Sequence, residues 1–148
     1  MISVRNNLFC IDDKVGFSLP DNCTLVFNEN THADDKLAFA LDSEAVYVEI
    51  GVENGFAPIE KILTDSFADG EATQSCDVFS ANRPHIRSTN SRAVFGECNG
   101  KRCYEERHLL SGTDTDNVQL YIYAESETDK NTLSLPAVQA FLQSIKTL

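Results

Sequence analysis

One stretch of this chain constrains its fold more than any other, and it runs from Val94 to Tyr123. Apolar and polar residues alternate along much of it, and the pattern is interrupted at Asn99-Gly100 and again between Gly112 and Asn117. Asn-Gly between two such runs predicts a β-hairpin, because both residues accept the positive φ that a two-residue type I′ turn requires. We therefore expect an antiparallel meander, with strands at 91–98, 101–110 and 118–123.

Period-two alternation also predicts strands in the N-terminal half of the chain. Leu8–Ile11 and Val15–Leu19 flank a polar turn, and Leu37–Leu41 and Val46–Ile50 form a second hairpin. A short strand is expected at 76–79. The polar segments 28–35 and 80–90 are expected to be loops, the second of them long.

Two segments have the apolar spacing of helices that bury one stripe of side chains. The first is Pro58–Phe67, which Asp69-Gly70 is expected to terminate, and the second is Ser134–Ile145, with Ser134 as the predicted N-cap. Helices of this kind pack on an antiparallel sheet. The expected fold class is therefore α+β, an antiparallel sheet with two helices packed on it in two layers, and residues 1–148 are expected to form a single domain.

The charge of the chain restricts its partners. It has 12 Lys and Arg against 23 Asp and Glu, a formal net charge of −11. Such a field repels phosphate backbones, so nucleic-acid binding is not expected, and it accelerates association with a basic partner. No apolar run is long enough to cross a bilayer and no secretory signal is visible, so we expect a cytoplasmic protein without membrane insertion.

The five cysteines fit reduced thiols, because an odd number without a signal peptide is typical of cytosolic proteins. Cys98 and Cys103 leave two alternatives open. A four-residue hairpin loop would place them opposite each other within disulfide reach, whereas a two-residue loop would pair Cys98 with Lys101. No cysteine or histidine spacing matches a zinc site, so no metal and no cofactor are expected.

The sequence contains one superficially catalytic cluster, at Cys103 to His108. On an extended strand, however, residues 103 and 108 face opposite sides, so His108 is a poor base for the Cys103 thiol. The charged residues between them are expected on an edge or a solvent-exposed face. Because no phosphate loop or nucleophile motif is present either, we do not expect an enzyme.

Three segments resemble the PsbP-like and DcrB-like fold group. Val15–Cys23 is similar to the strand exit with which these domains open, Arg92–Arg107 to their central hairpin, and Phe141–Lys146 to their terminal helix. Asn22-Cys23 stands where the group usually has Gly-Trp. The group includes Ran-binding Mog proteins, bacterial lipoproteins and chaperones of type VI secretion effectors, so the resemblance implies a mostly non-enzymatic role.

The leading hypothesis is accordingly a non-catalytic protein-binding module, an adaptor or chaperone of a secreted protein, acting as a homodimer or as a monomer with an exposed groove. The partner-binding residues are expected on the meander, on one face of the sheet, at Tyr104, Glu106, His108, Tyr121 and Tyr123. The alternative is a small-ligand-binding domain of a bacterial cell-envelope protein, with its cleft between sheet and helix and bordered by the loop 80–90. A thiol enzyme that uses Cys98 or Cys103 is the third hypothesis.

Overall fold

The computed structural model describes residues 1–27, 35–66, 73–74, 82–98, 100–127 and 132–148, with the backbone alone at 66, 73–74 and 98. These residues form two antiparallel sheets and two α-helices, which confirms the α+β class. The helices are α1 (Ile59–Ser66) and α2 (Pro136–Ser144). The strands are β1 (Ile2–Arg5), β2 (Leu8–Ile11), β3 (Val15–Phe17), β4 (Thr24–Val26), β5 (Lys36–Leu41), β6 (Val46–Gly55), β7 (Thr73–Gln74), β8 (Asn90–Cys98), β9 (Lys101–Gly112), β10 (Asn117–Ser126) and β11 (Lys146–Thr147).

The large sheet has seven strands in the order β4-β5-β6-β10-β9-β8-β7. The predicted meander lies within this sheet: β8 pairs with β9, and β9 pairs with β10. At the turn between β9 and β10, Gly112 opposes Asn117, and the φ of Gly112 is +98°. At the first turn Cys98 opposes Lys101, so the loop has two residues, and Gly100 has a φ of +80°. The hairpin of β5 and β6 is also confirmed.

The small sheet has four strands in the order β1-β2-β3-β11. Its first hairpin turns at Asn6 and Asn7, whose φ angles are +52° and +66°, so that Arg5 opposes Leu8. Two asparagines thus replace the Asn-Gly pair at this turn. The sequence prediction missed β1, and it also missed β11, which is only two residues long.

The two sheets share one apolar core. We call the face of the large sheet that points toward the small sheet and α2 the inner face, and the opposite face the outer face. Phe141 of α2 is 1% exposed, and its ring centroid lies 5.0 Å from that of Phe39 on the inner face and 5.8 Å from that of Phe17 in the small sheet. One aromatic cluster therefore joins helix and sheets.

The helices do not lie on the same side of the large sheet, so the two-layer prediction is wrong. Leu63 of α1 packs on Val94 and Cys103 on the outer face, whereas α2 packs on the inner face. The reason lies in β8 and β9, which carry apolar side chains on both faces: Val94 and Cys103 lie on the outer face, and Ala93 and Tyr104, which form a second buried cluster, lie on the inner face. Each of the two faces therefore has to be covered.

Helix α2 begins later than predicted. Ser134 lies in a short 3₁₀ turn (Thr132–Ser134), and Leu135 occupies the N-cap position without a side-chain capping bond. Pro136 is the first helical residue, where its missing N–H costs nothing. The loop residues 28–34, the helix end at 67–70 and the strand predicted at 76–79 lie outside the described residues.

The cysteines within the described part of the chain are free thiols. Cys10 and Cys103 are buried and Cys23 is half-buried. Because Cys103 opposes Gly96 and Cys98 opposes Lys101, the two-residue alternative is the observed one. Cys76 and the side chain of Cys98 lie outside the described residues.

Candidate functional site

The five predicted partner-binding residues lie on two different faces of the large sheet. Tyr104, Glu106 and His108 oppose Ala124, Ile122 and Leu120, respectively, and belong to the inner face. Tyr121 and Tyr123 oppose Arg107 and Glu105 and belong to the outer face. The prediction that one face carries all five residues is therefore wrong.

A β-bulge explains the separation. Near the turn Gly112 opposes Asn117 and Ser111 opposes Val118, but Leu109 opposes Gln119, so Leu110 is an extra residue in β9. If β9 kept all its residues and paired regularly from the same turn, without a bulge, Tyr121 would lie opposite His108. A shift of register by one residue moves the side chains of one strand to the other face relative to its neighbour.

On the inner face, Glu106 is the centre of a buried polar cluster. Its carboxylate, which is 0% exposed, accepts two hydrogen bonds from Arg83, at 3.1 Å from Nε and 2.6 Å from Nη2. The Tyr104 hydroxyl donates to it at 2.9 Å, and His108 Nε2 lies 2.5 Å away. The expectation of a solvent-exposed charged segment is thus wrong, because β9 lies inside the sheet and both of its faces are covered.

The environment of Glu106 keeps its carboxylate ionised. Burial by itself would raise the pKa of Glu106, but the hydrogen bond and charge of His108, together with the Arg83 ion pair, lower this pKa to about 2. Arg83 comes from the segment between β7 and β8, so the cluster ties that segment to the sheet.

The polar cluster continues from His108 toward β8. His108 Nδ1 lies 2.8 Å from the Ser91 hydroxyl, which in turn lies 2.8 Å from the Ser88 hydroxyl. The imidazole is 1% exposed and is therefore closed to a substrate-sized molecule at its own position. Cys103 lies on the other face of the sheet, where its sulfur is 3.3 Å from the Tyr123 hydroxyl oxygen, so His108 cannot activate this thiol.

The outer face carries an array of tyrosines and glutamates on β6 and β10, which we call the tyrosine–glutamate strip. Its members are Tyr47, Glu49, Tyr121, Tyr123 and Glu125. The hydroxyls of Tyr47 and Tyr121 donate to the two oxygens of Glu49 at 3.0 and 2.8 Å. The Tyr123 hydroxyl donates to Glu125 at 2.7 Å.

The strip combines aromatic surface with negative charge. The rings of Tyr47 and Tyr123 are 6.4 Å apart at 64°, and both side chains are half-buried. Burial, supported by the neighbouring acceptors, raises the pKa of the hydroxyls of Tyr47, Tyr121 and Tyr123. These hydroxyls therefore remain donors and hold the carboxylates in place.

Arg107 shows how this face binds a cation. Its guanidinium carbon lies 5.2 Å from the centroid of the Tyr121 ring. Its Nε donates to Glu105 at 2.9 Å, and Nη1 donates to Gln119 at 2.9 Å and also contacts Glu53. Burial raises the pKa of Glu105 in spite of the opposing charge and hydrogen bond of Arg107. A ring and carboxylates thus hold one buried guanidinium.

The Tyr47 end of the strip also combines tyrosine rings with carboxylates, as the surroundings of Arg107 do. Among the described residues no cation forms an ion pair with Glu49, whereas Glu125 is 3.5 Å from the ammonium of Lys101. A cavity of about 340 Å³ adjoins this end, and its lining includes Asp42, Glu125 and Glu127 against the single cation Lys101. The cavity is therefore acidic, and two members of the strip, Tyr47 and Glu125, line it.

Sequence reasoning missed Tyr47, Glu49 and Glu125 because it used the alternation along these strands only to identify the apolar side chains and the hairpin. The alternation Tyr47-Val48-Glu49 opposite Tyr123-Ala124-Glu125 was the available signal. Arg83 had no comparable signal, because it lies 23 residues from Glu106 along the chain.

Two further findings concern metal sites and membrane-spanning helices. In the described residues, no group of three or more His, Cys, Asp or Glu side chains is arranged to hold a metal ion. Neither of the described helices combines the length and hydropathy needed to traverse a bilayer.

Comparisons with known proteins add little to this geometry. No protein-family model and no curated protein sequence matches the chain. A crystal structure of a protein from Bacteroides thetaiotaomicron VPI-5482 is similar at a TM-score of 0.46 and 7% sequence identity, over 90% of this chain and 45% of that one. The chain thus spans less than half the length of that protein. A similarity at this level supports neither a family nor a function.

Proposed function

We propose that this chain is a non-catalytic protein-binding module, whose tyrosine–glutamate strip binds a lysine or arginine side chain from a basic segment of a partner protein. The observation that carries the proposal is Glu49, a half-buried carboxylate held by two tyrosyl hydroxyls and without an ion pair to a cation of the described chain. Tyr121 and Tyr123 remain in the proposed site. Tyr104, Glu106 and His108 leave it, because they lie on the inner face.

Charge and ring geometry support this occupant. The net charge of −11 attracts a basic segment from a distance. At the surface, the rings of Tyr47 and Tyr123 offer cation–π contacts, worth about 0.5–1 kcal/mol at an exposed site. Arg107 provides an example within the same face, since it uses one tyrosine ring and two carboxylates.

The finer classification is also a proposal. We propose that the domain belongs to the PsbP-like fold group and acts as an adaptor or chaperone of a secreted protein, in the cytoplasm. Its support is the motif resemblance at Val15–Cys23, Arg92–Arg107 and Phe141–Lys146. A homodimer is proposed from the same resemblance.

Binding of a defined cationic probe tests the strip. A fluorescent oligo-arginine peptide, titrated by anisotropy at several salt concentrations, is expected to bind the wild-type chain more weakly as salt rises. Glu49→Gln should weaken this binding about three- to tenfold, since it removes one charge from the site. Glu97→Gln is the matched control, because Glu97 is exposed on β8 and lies on the inner face, away from the strip.

Equal effects of the two substitutions would mean that the peptide binds the general acidic field, and the strip would be refuted. Capture from lysate of the native host then tests the biological role. Wild-type bait should retain a basic protein that Glu49→Gln bait retains less well. Recovery of the same proteins in the same amounts with both baits would contradict the proposal.

A second candidate function, the binding of a small molecule, is favoured by a separate cavity between the two sheets. Its lining includes Arg87, which lies within the loop 80–90 that the ligand-binding alternative invoked.

A further inference from the structure

A second open cavity, of about 420 Å³, lies where one end of the large sheet meets the last strand of the small sheet. We call it the inter-sheet cleft. Leu110 and Val118 from β9 and β10 and Leu148 after β11 supply apolar surface. The volume falls within the range of about 300–1,000 Å³ that is typical of small-molecule sites.

The bulge in β9 shapes this cleft. In a regular strand consecutive residues point to opposite faces, but the extra residue Leu110 breaks that alternation, and both Leu110 and Ser111 line the cavity. Leu110 and Val118 also pack against the core, which anchors this wall of the cleft. One wall thus presents an apolar side chain next to a hydroxyl.

Two cations line the cleft, in contrast to the negative net charge of the chain. They are Lys14 and Arg87, and neither forms an ion pair with a carboxylate in the described part of the chain. Two carboxylates also belong to the lining: that of Asp13, which is paired with Arg5, and the terminal carboxylate of Leu148. Lys14 and Arg87 are therefore available to the head group of an anion.

Thr147 fixes the position of one of these cations. Its hydroxyl accepts hydrogen bonds from the backbone N–H of Arg87 at 3.1 Å and from Arg87 Nε at 3.3 Å. The same hydroxyl donates to the carbonyl of His85 at 3.3 Å. Among the described residues, no side chain or carbonyl binds the two terminal nitrogens of this guanidinium, which are therefore available to an anion.

We propose that the inter-sheet cleft binds a small amphipathic carboxylate, with its aliphatic tail against Leu110, Val118 and Leu148 and its head group between Lys14 and Arg87. The apolar wall provides most of the affinity, and the two cations select the charge of the head group. The site is independent of the tyrosine–glutamate strip, which lies on the outer face and is negatively charged.

Sodium octanoate is the probe for this proposal, titrated into the full chain by ¹H–¹⁵N NMR. Saturable shifts are expected for amides around Leu110, Val118 and Thr147. Octylammonium, with the same tail and the opposite charge, should produce no saturable shifts. Lys14→Gln and Arg87→Gln should each weaken octanoate binding about three- to tenfold.

Two matched variants separate the cleft from general effects of charge. Lys146→Gln removes an exposed cation from β11 that does not line the cavity, and it should leave the affinity within about twofold. Arg87→Lys keeps the charge and should retain most of the binding. Glu49→Gln should leave octanoate binding unchanged, so a failure here is distinguishable from a failure of the proposed protein-binding function.

Absence of saturable octanoate binding would overturn the proposal. So would equal losses in Lys14→Gln and Lys146→Gln, which would assign the effect to net charge. Binding of 1-octanol as tight as that of octanoate would show an apolar site without anion selectivity and would also refute it.

Discussion

The substitution Glu106→Gln tests whether the buried cluster on the inner face stabilises the fold through charge. It preserves the size of the side chain but removes the negative charge that faces Arg83 and His108. The pKa of Glu106 lies at about 2, against an ordinary value of 4.5, a difference of about 2.5 units. At about 1.4 kcal/mol per unit, ionised Glu106 stabilises the folded state by about 3–4 kcal/mol at pH 7.

An independent argument gives a similar magnitude. The ion pair of Glu106 with Arg83 is buried, and loss of one partner from a buried ion pair costs about 3–5 kcal/mol. Urea unfolding at pH 7 should therefore show Glu106→Gln to be about 3–4 kcal/mol less stable than the wild type. Glu97→Gln, which alters an exposed carboxylate, should differ from the wild type by less than about 0.5 kcal/mol.

The pH dependence of the stability difference between wild type and Glu106→Gln shows whether the charge of Glu106 causes that difference. A carboxylate whose pKa is lowered by folding contributes its full stabilisation above the unfolded-state pKa and loses it as pH falls toward the folded-state pKa. The gap between wild type and Glu106→Gln should therefore be constant from pH 7 to about 5 and shrink between pH 4.5 and 2. A gap equal to that of the Glu97→Gln control, or one that does not change over this range, would refute the reasoning.

Three further predictions concern packing and the thiols. Phe141→Ala should destabilise the protein by about 3–5 kcal/mol in urea unfolding, because the ring is 1% exposed at the junction of both sheets, whereas exposed Val4→Ala should cost under about 0.5 kcal/mol. Gly51→Ala should cost about 1–3 kcal/mol, since its new Cβ would lie 2.4 Å from the Tyr121 ring, and tyrosine fluorescence should report the displaced ring. Thiol titration in denaturant without reductant should find five free thiols per chain, and a lower number would contradict the prediction that all five cysteines are reduced.

Local patterns in the sequence predicted most of the strands and both helices. The meander, the β5–β6 hairpin and the two apolar stripes depend on residues close together in the chain, where turn chemistry and periodicity are informative. Strand β1 escaped this reasoning because its turn is Asn6-Asn7 instead of Asn-Gly. The opposite placement of the helices escaped it because it depends on which faces of β8 and β9 need covering, a property of the assembled sheet.

The candidate site could be predicted only in part. Tyr121 and Tyr123 were identified from their own strand, but their neighbours on β6 are set by the pairing of strands that are about 70 residues apart. The cluster around Glu106 depends on Arg83, which lies 23 residues earlier in the chain, between β7 and β8. No local pattern encodes such a contact.

The extra residue at Leu110 has a consequence for how this chain tolerates changes of length. Insertions and deletions are ordinarily accepted near hairpin turns, and residues 113–116 form such an exposed turn. A deletion of one residue only a few positions earlier, at 109–111, would remove the bulge and leave both the pairing at Gly112 and the pairing of Arg107 with Tyr121 in register, because Leu110 has no partner in β10. A deletion in the facing segment of β10, at 118–120, would instead leave two residues of β9 without partners or shift one of these pairings. A library of single-residue deletions should therefore show tolerated variants in the turn and at 109–111, and destabilised ones at 118–120.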